Sequence, residues 1–408
     1  MREMFSSILI LFALCLLLVV MPAADAAYTS FAWEYGDTLT VYGNANLDDV
    51  VDEDDIEYVR GVIGGTNDET PFADANYDGQ IDEDDIAQIE LIVSGEEDEL
   101  TIMDMSNRAV TVPMPVERIV AASQDTIRTL VVLGAEDKIV GCDFPTSWSS
   151  IWYAAPALED LPDIGGGDSF NVELAVSLDP DVIFVGTSGY NADEIQEKSQ
   201  VPAIAVTSYP NDLWIVDMFR IVGAVTGKDE KARDLITYTE VKVDEITEIT
   251  SGIPDEDKPV VYTTHGGGKI TQCCGAISGV EWAGGLNAAE FTGNSEVSKE
   301  QVIKWNPDVI LITFGNPEKI EAVVSDPVLQ SVNAVKDGRV YSLYISKGGW
   351  GSLGSQLAAL NYLAKLLHPD EFEDLDVEEG GNEIMEHLYG VDGIYTEMAE
   401  EFDIYRWD

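Results

Sequence analysis

Basic residues are scarce in this sequence. Its 408 residues carry 22 Lys and Arg against 76 Asp and Glu, a formal net charge of −54. A chain this acidic repels phosphate backbones and anionic headgroups, so neither nucleic acid nor an anionic lipid surface is its main partner. Histidine is rarer still, at three residues. There is no HExxH pair and no nucleophile elbow. The GGG runs at 165–167 and 266–268 lack the GxGxxG spacing of a dinucleotide site, so their glycines read as tight turns or points of close backbone approach. Of four cysteines, Cys15 lies in the apolar N-terminal run, which leaves Cys142, Cys273 and Cys274. That is too few for a disulfide scaffold. A bridge from Cys142 to Cys273 or Cys274, and three buried free thiols, both stay open. After residue 27 no apolar run is long enough to span a bilayer. With 45% apolar residues the chain nevertheless has the means to fold.

The first 27 residues read as a secretory signal. Arg2 precedes an apolar run from Ile8 to Val20, and Ala24-Asp25-Ala26 supplies a small-x-small cleavage pattern. A retained anchor is the alternative. Either way the expected location is secreted or extracytoplasmic, associated with the cell surface.

Two segments of the main body are near copies. NVELAVSLDPDVIFVG spans 171–186 and SKEQVIKWNPDVILIT spans 298–313. In each, a Glu (Glu173, Glu300) stands seven residues before a Pro (Pro180, Pro307). The apolar spacing before the Pro suits one helix face, and the Pro ends that helix. The β-branched run after it is apolar on both faces, as a buried parallel strand is. One such unit in each half predicts two similar α/β lobes with a ligand-binding cleft near the carboxyl ends of their strands.

Residues 28–100 hold 22 acidic residues and one basic residue, Arg60. A second repeat lies here, with a period of 30 residues. In DANYDGQIDEDD, residues 74–85, Asp74, Asn76, Asp78, Asp82 and Asp85 occupy positions 1, 3, 5, 9 and 12 of a calcium loop. Gly79 supplies the turn at position 6, and Gln80 offers its carbonyl at position 7. In NANLDDVVDEDD, residues 44–55, the same positions hold Asn44, Asn46, Asp48, Asp52 and Asp55, with Val50 at position 7. This loop departs twice, with Asn44 at the first ligand position and Asp49 in place of the turn Gly, and is expected to be the weaker site. Each loop leads into one helical stretch. Asp at position 12, the period and the single helix after each loop resemble a type I dockerin over about residues 42–95. The resemblance implies a small, mostly α, EF-hand-like module that folds on Ca2+ and binds a cohesin domain. A calcium-stabilised spacer without a cohesin partner is the rival reading.

After the acidic stretch 96–99 comes a hairpin, TIMDM and AVTV around a Ser-Asn turn, and then a βαβ rhythm. Several pieces in order resemble the substrate-binding proteins of ABC importers for iron-siderophores and vitamin B12. They are DMSNRAVTVPMPVERIV, NVELAVSLDPDVI, AGGLNAA at 283–289, VSKEQVIKWNPDVILI, AVKDGRVYSL at 334–343 and LAKLLHPDEF at 363–372. The resemblance covers roughly residues 100–370. It implies an α/β fold of two Rossmann-like lobes joined by one long helix, with little hinge motion and the ligand between the lobes. The expected divisions are 1–27 signal peptide, 28–97 dockerin-like module, 98–228 first lobe, 229–251 interlobe helix and 252–408 second lobe.

The resemblance also implies that Glu173 and Glu300 pair with Arg residues of the permease. Without it, each reads as a first-turn Glu favoured by the helix dipole. Three loops follow strand ends and are expected at the cleft. They supply Trp148, Trp152 and Tyr153, then His265, then Lys347 and Trp350. Aromatic side chains with a few polar groups suit a metal chelate such as an iron-siderophore, haem or a corrinoid. An oxyanion such as molybdate or tungstate is the alternative, held by backbone N–H groups. A soft metal site built from His265, Cys142, Cys273 and Cys274 matches no zinc spacing. An enzyme is not expected, although dockerins commonly accompany hydrolases, which keeps a dockerin-bearing secreted enzyme as a further alternative.

Overall fold

The computed structural model describes residues 38–143, 154–187, 189–206, 215–264, 269–291, 293–313, 315–343 and 353–402. The chain divides into two compact units, Met1–Glu34 and Tyr35–Asp408, and every described residue belongs to the second. The signal segment therefore lies outside the described residues. Among those described, no helix is long and apolar enough to cross a membrane.

The acidic N-terminal part forms two loop–helix units. Their helices are α1 (Glu53–Ile63) and α2 (Glu83–Ser94). Each starts with a reciprocal cap. Asp52 and Asp82 accept from the backbone of their first turns, while Asp55 and Asp85 accept from the backbone N–H groups of Asp52 and Asp82. A capping box satisfies helix-start donors that would otherwise be orphaned. Ala45, Ile56, Val59, Ala73, Ala75 and Ile89 form a small core beneath the two helices.

A hairpin of β1 (Glu99–Met103) and β2 (Ala109–Pro113) follows. Next come β3 (Ile119–Ala121), α3 (Gln124–Val132), β4 (Ile139–Cys142), α4 (Val172–Ser177), β5 (Val182–Gly186), α5 (Ala192–Ser199) and β6 (Ala203–Val206). The strands form a parallel sheet in the order β4-β3-β5-β6. Helices α6 (Ile215–Thr226) and α7 (Asp229–Thr250) complete this half.

The second half contains β7 (Val260–Thr263), β8 (Gln272–Cys273), α8 (Ser278–Trp282), β9 (Leu286–Asn287), β10 (Ser295–Glu296), α9 (Lys299–Trp305), β11 (Val309–Thr313), α10 (Pro317–Val324), α11 (Asn333–Lys336) and β12 (Val340–Leu343). Its parallel sheet runs β12-β11-β7-β9, and β8 and β10 form a short antiparallel ladder. Helices α12 (Leu353–Leu367), α13 (Val377–Tyr389) and α14 (Ile394–Phe402) close the chain. The fold is thus a pair of α/β lobes with parallel sheets.

The duplicated sequence motif has a structural cause. Asp179 and Asn306, which precede the two prolines, have φ of 52° and 48°. Short polar side chains tolerate that left-handed conformation best. The Asp after each proline then pins the neighbouring strand. Asp181 accepts from the backbone of Glu117 and Arg118 at 2.8 Å, just before β3. Asp308 accepts from Val260 at 3.0 Å, the first residue of β7. The backbone N–H of each Asp also donates to the same strand start. Each Pro-Asp-Val-Ile therefore ends a helix, begins a central strand and sets its register against the next.

Helix α7 ties the halves together. Its buried residues, Ala232, Leu235, Ile236, Thr239, Val243, Ile246 and Thr250, recur at helical spacing. It packs on α6 of the first lobe and on α8 and α12 of the second. Thr250 donates to the carbonyl of Trp282 at 2.7 Å, fixing the far end. Leu235→Ala, at a fully buried position, is expected to lower unfolding free energy by about 2–5 kcal/mol through lost transfer energy and the cavity left behind. Val241→Ala, at a position 48% exposed, is expected to change it by less than about 0.5 kcal/mol. Urea titrations of the two variants check the contrast.

Candidate functional site

Both sheets are parallel, so all their strands in one lobe end on the same edge. The chain leaves β4, β6, β7 and β12 at that edge directly or almost directly into segments 144–153, 207–214, 265–268 and 344–352, which lie outside the described residues. Trp148, Trp152, Tyr153, His265, Lys347 and Trp350 all fall in those segments. Lys269 is described and exposed.

The described part of the first lobe's edge is anionic. Asp143 follows β4 and is half-buried. Burial, then the nearby Asp163 charge, pushes its carboxyl up to about 6. Gly166 approaches this carboxylate closely. A Cβ on Gly166 would lie 2.4 Å from Asp143 Oδ2, so a side chain there would displace the carboxylate or the loop. Tyr190 donates its hydroxyl to the carbonyl of Ala122, just past β3, and packs edge-on to Phe170. Burial raises the Tyr190 hydroxyl pKa, with Asp143 adding to the effect. The sequence reading passed over Asp143 in favour of the aromatics beside it. Its position immediately after an apolar strand was the available signal.

In the second lobe the strand ends are laced together. Thr313 donates its hydroxyl to the Thr264 carbonyl at 2.8 Å, and its backbone N–H to Thr264 Oγ1 at 3.1 Å. Cys142 lies in the first lobe, Cys273 and Cys274 in the second, and all three are buried free thiols. Burial pushes Cys142 and Cys274 up to about 12 and also raises Cys273. Metal binding and disulfide exchange need the thiolate, which burial disfavours here. Among the described residues, no three or more His, Cys, Asp or Glu side chains are grouped to hold a metal ion.

Glu173 and Glu300 occupy equivalent places. Each is exposed and in the first turn of a short helix, α4 or α9. Asn171 and Ser298 cap the two helices by accepting from Leu174 and Gln301. Each helix immediately precedes a parallel strand and runs opposite to it, so its first turn lies toward the strand's carboxyl edge. Hydrogen bonding from its own backbone N–H and from Ser298 lowers the Glu300 pKa, so that group is ionised near neutrality.

The two acidic loops differ as calcium candidates. In the second, Asp74, Asp78, Asp82 and Asp85 bring four carboxylates, and Gly79 turns at φ 89° with nothing near its missing Cβ. Asp85 is buried, and burial raises its pKa, with Asp74 adding. A cation beside these groups would relieve both effects, and the spacing is that of a calcium loop, although the four side chains are not gathered into a metal-holding group here. In the first loop, Asn44 is fully buried, and its side chain is already engaged. It donates to Leu39 O at 2.7 Å and Asp48 O at 2.6 Å and accepts from Asp48 N at 3.1 Å. Asp49, where the second loop has Gly79, adopts no left-handed φ. Asp55 of this loop is buried as well, and burial pushes its carboxyl up to about 6, with Asp48 adding, so the two loops share one carboxylate setting and differ at Asn44 and Asp49.

A family profile described as periplasmic binding protein matches residues 119–344, more than half of the chain. The chain belongs to the periplasmic binding protein family. It is 25% identical over 324 residues to the molybdate-binding protein MolA of Haemophilus influenzae, covering 71% of this chain and 90% of that one. It is 27% identical over 256 residues to a cobalamin-binding protein of Halobacterium salinarum, covering 60% and 66%. The solved structure of molybdate-bound MolA superposes with a TM-score of 0.61 at 22% identity, over 72% of this chain and 98% of that chain, a likeness of fold. The protein is thus an extracytoplasmic solute-binding component of ABC import. These relatives are binding receptors rather than enzymes.

Asp143 gives this binding protein a pH signature. Because its folded pKa is raised, its contribution to stability is full below the ordinary value of 3.8 and is lost as pH rises through about 6. Asp143→Asn is therefore expected to be more stable than the parent above that range, by about 1 kcal/mol after allowing for solvent screening. The difference should vanish near pH 4 in paired urea titrations.

Proposed function

We propose that this protein captures a metal chelate of the corrinoid, haem or ferric-siderophore class and delivers it to an ABC import permease. The observation that carries the choice of ligand is the anionic edge of the first lobe, where Asp143, Asp163 and the Tyr190 hydroxyl surround the ends of β3 and β4. An isolated oxyanion brought there meets like charge, whereas a bulky neutral or cationic chelate does not. The similarity to a cobalamin-binding protein supports the same class. Binding of molybdate or tungstate is the second reading, favoured by the similarity to MolA.

Glu173 and Glu300 serve delivery. One exposed carboxylate per lobe, each at a helix start flanking the strand ends, offers a membrane partner two spaced anchor points that fix orientation as well as affinity. Residues 38–97 act as a calcium-stabilised module. Its repeat exposes apolar side chains at equivalent places, Leu47 with Tyr77 and Ile63 with Val93, which suits a cohesin-type partner.

A thermal-shift panel of cyanocobalamin, haem, ferric siderophores, molybdate and tungstate tests the ligand class. A chelate at a hundredfold excess over Kd is expected to add about 2.7 kcal/mol of stability. A response to molybdate or tungstate alone would install the second reading. The double variant Glu173→Ala/Glu300→Ala is expected to keep ligand affinity and lose uptake by the cognate permease. Unchanged uptake would leave both residues as ordinary helix-start carboxylates.

A further inference from the structure

The first acidic loop departs from its sister loop at two positions, and the structure gives both departures a use. Asp49, in place of the turn glycine, forms a two-point ion pair with Arg220 of α6. Arg220 Nε donates to Asp49 Oδ1 at 2.8 Å and Nη2 donates to Asp49 Oδ2 at 2.9 Å. The third nitrogen, Nη1, donates to Asp217 at 2.8 Å on the same helix. The Arg220 side chain is only 5% exposed. A buried guanidinium held by two carboxylates is a strong and geometrically specific contact, because the planar fork matches one approach of the carboxylate. Asn44 closes the other end of the loop with its three internal hydrogen bonds.

A backbone seam runs beside this contact. Val41 bridges Ile102 in antiparallel register. Tyr42 N donates to Thr101 O at 2.9 Å, Met103 N donates to Thr40 O at 2.8 Å, and the Thr40 hydroxyl donates to Met103 O. Residues 39–42 are buried. They extend the β1–β2 hairpin by one short strand. That hairpin is joined in turn to β6, through Met105 N to Ala205 O and Ala205 N to Asp104.

We infer that the first loop is a latch. It fixes the acidic module to the first lobe through Asp49, Arg220 and the 40–103 seam, so that the module is a rigid part of the receptor.

Hydrogen exchange of the full chain tests the latch. Arg220→Gln and Asp49→Asn are each expected to speed exchange of the Tyr42 and Met103 amides about tenfold, and the double variant no further than either, because the two residues form one interaction. Unchanged exchange in the milder Asp49→Asn would overturn the latch.

Discussion

The buried stripe along α7 is the contact on which the rest of this architecture depends. Each parallel sheet needs helices on both faces, because its strands are apolar on both. A chain that builds two such sheets must either leave them as separate bodies or share covering elements. Here α7 is shared. Its one apolar face meets α6 in the first lobe and α8 and α12 in the second. Helix α12 is buried along nearly its whole length, so the second lobe's core continues behind the joining helix. The two lobes thus share one covering helix.

Charge is distributed to match. The chain carries −54 overall, yet three of its arginines are placed where they join parts. Arg108 bridges the hairpin to the sheet edge through Asp104, Asp193 and the carbonyl of Ala203. Arg118 donates to carbonyls at the end of α4. Arg220 joins the acidic module to the first lobe. In so acidic a protein a guanidinium is well suited to such joints, since it satisfies several acceptors at once in a fixed geometry. The acidic surface left over suits solubility and leaves the two first-turn carboxylates, Glu173 and Glu300, exposed.

Much of this was legible because the relevant signals are local. The helix–Pro–strand duplication announced the two lobes, since periodicity and proline placement act within about ten residues. The equivalence of Glu173 and Glu300 came from the same spacing. The hairpin at 99–113 was marked by alternation around Ser106-Asn107, and Asn107 does adopt a left-handed φ of 57°. What the spacing did not carry was the use of each loop's departures. Asn44 and Asp49 read as defects of a calcium loop. Their hydrogen-bonding partners include Arg220, 171 residues from Asp49. Nor did the anionic setting of Asp143 stand out, because Asp163, Gly166 and Tyr190 reach it only through the sheet and its loops.

The sequence by itself determined the two α/β halves, the doubled acidic loops and the Glu at each repeat, because each follows from hydrophobic period, turn chemistry or capping within a short stretch, whereas a joining helix was expected from the family resemblance. Only the tertiary structure decided that the three thiols are buried and unbridged, that the Pro-Asp-Val-Ile aspartates pin neighbouring strands, and that Asp49 of one acidic loop pairs with Arg220. Those outcomes depend on which distant backbone groups and charges the folded chain brings within hydrogen-bonding reach, and no local pattern encodes that distance.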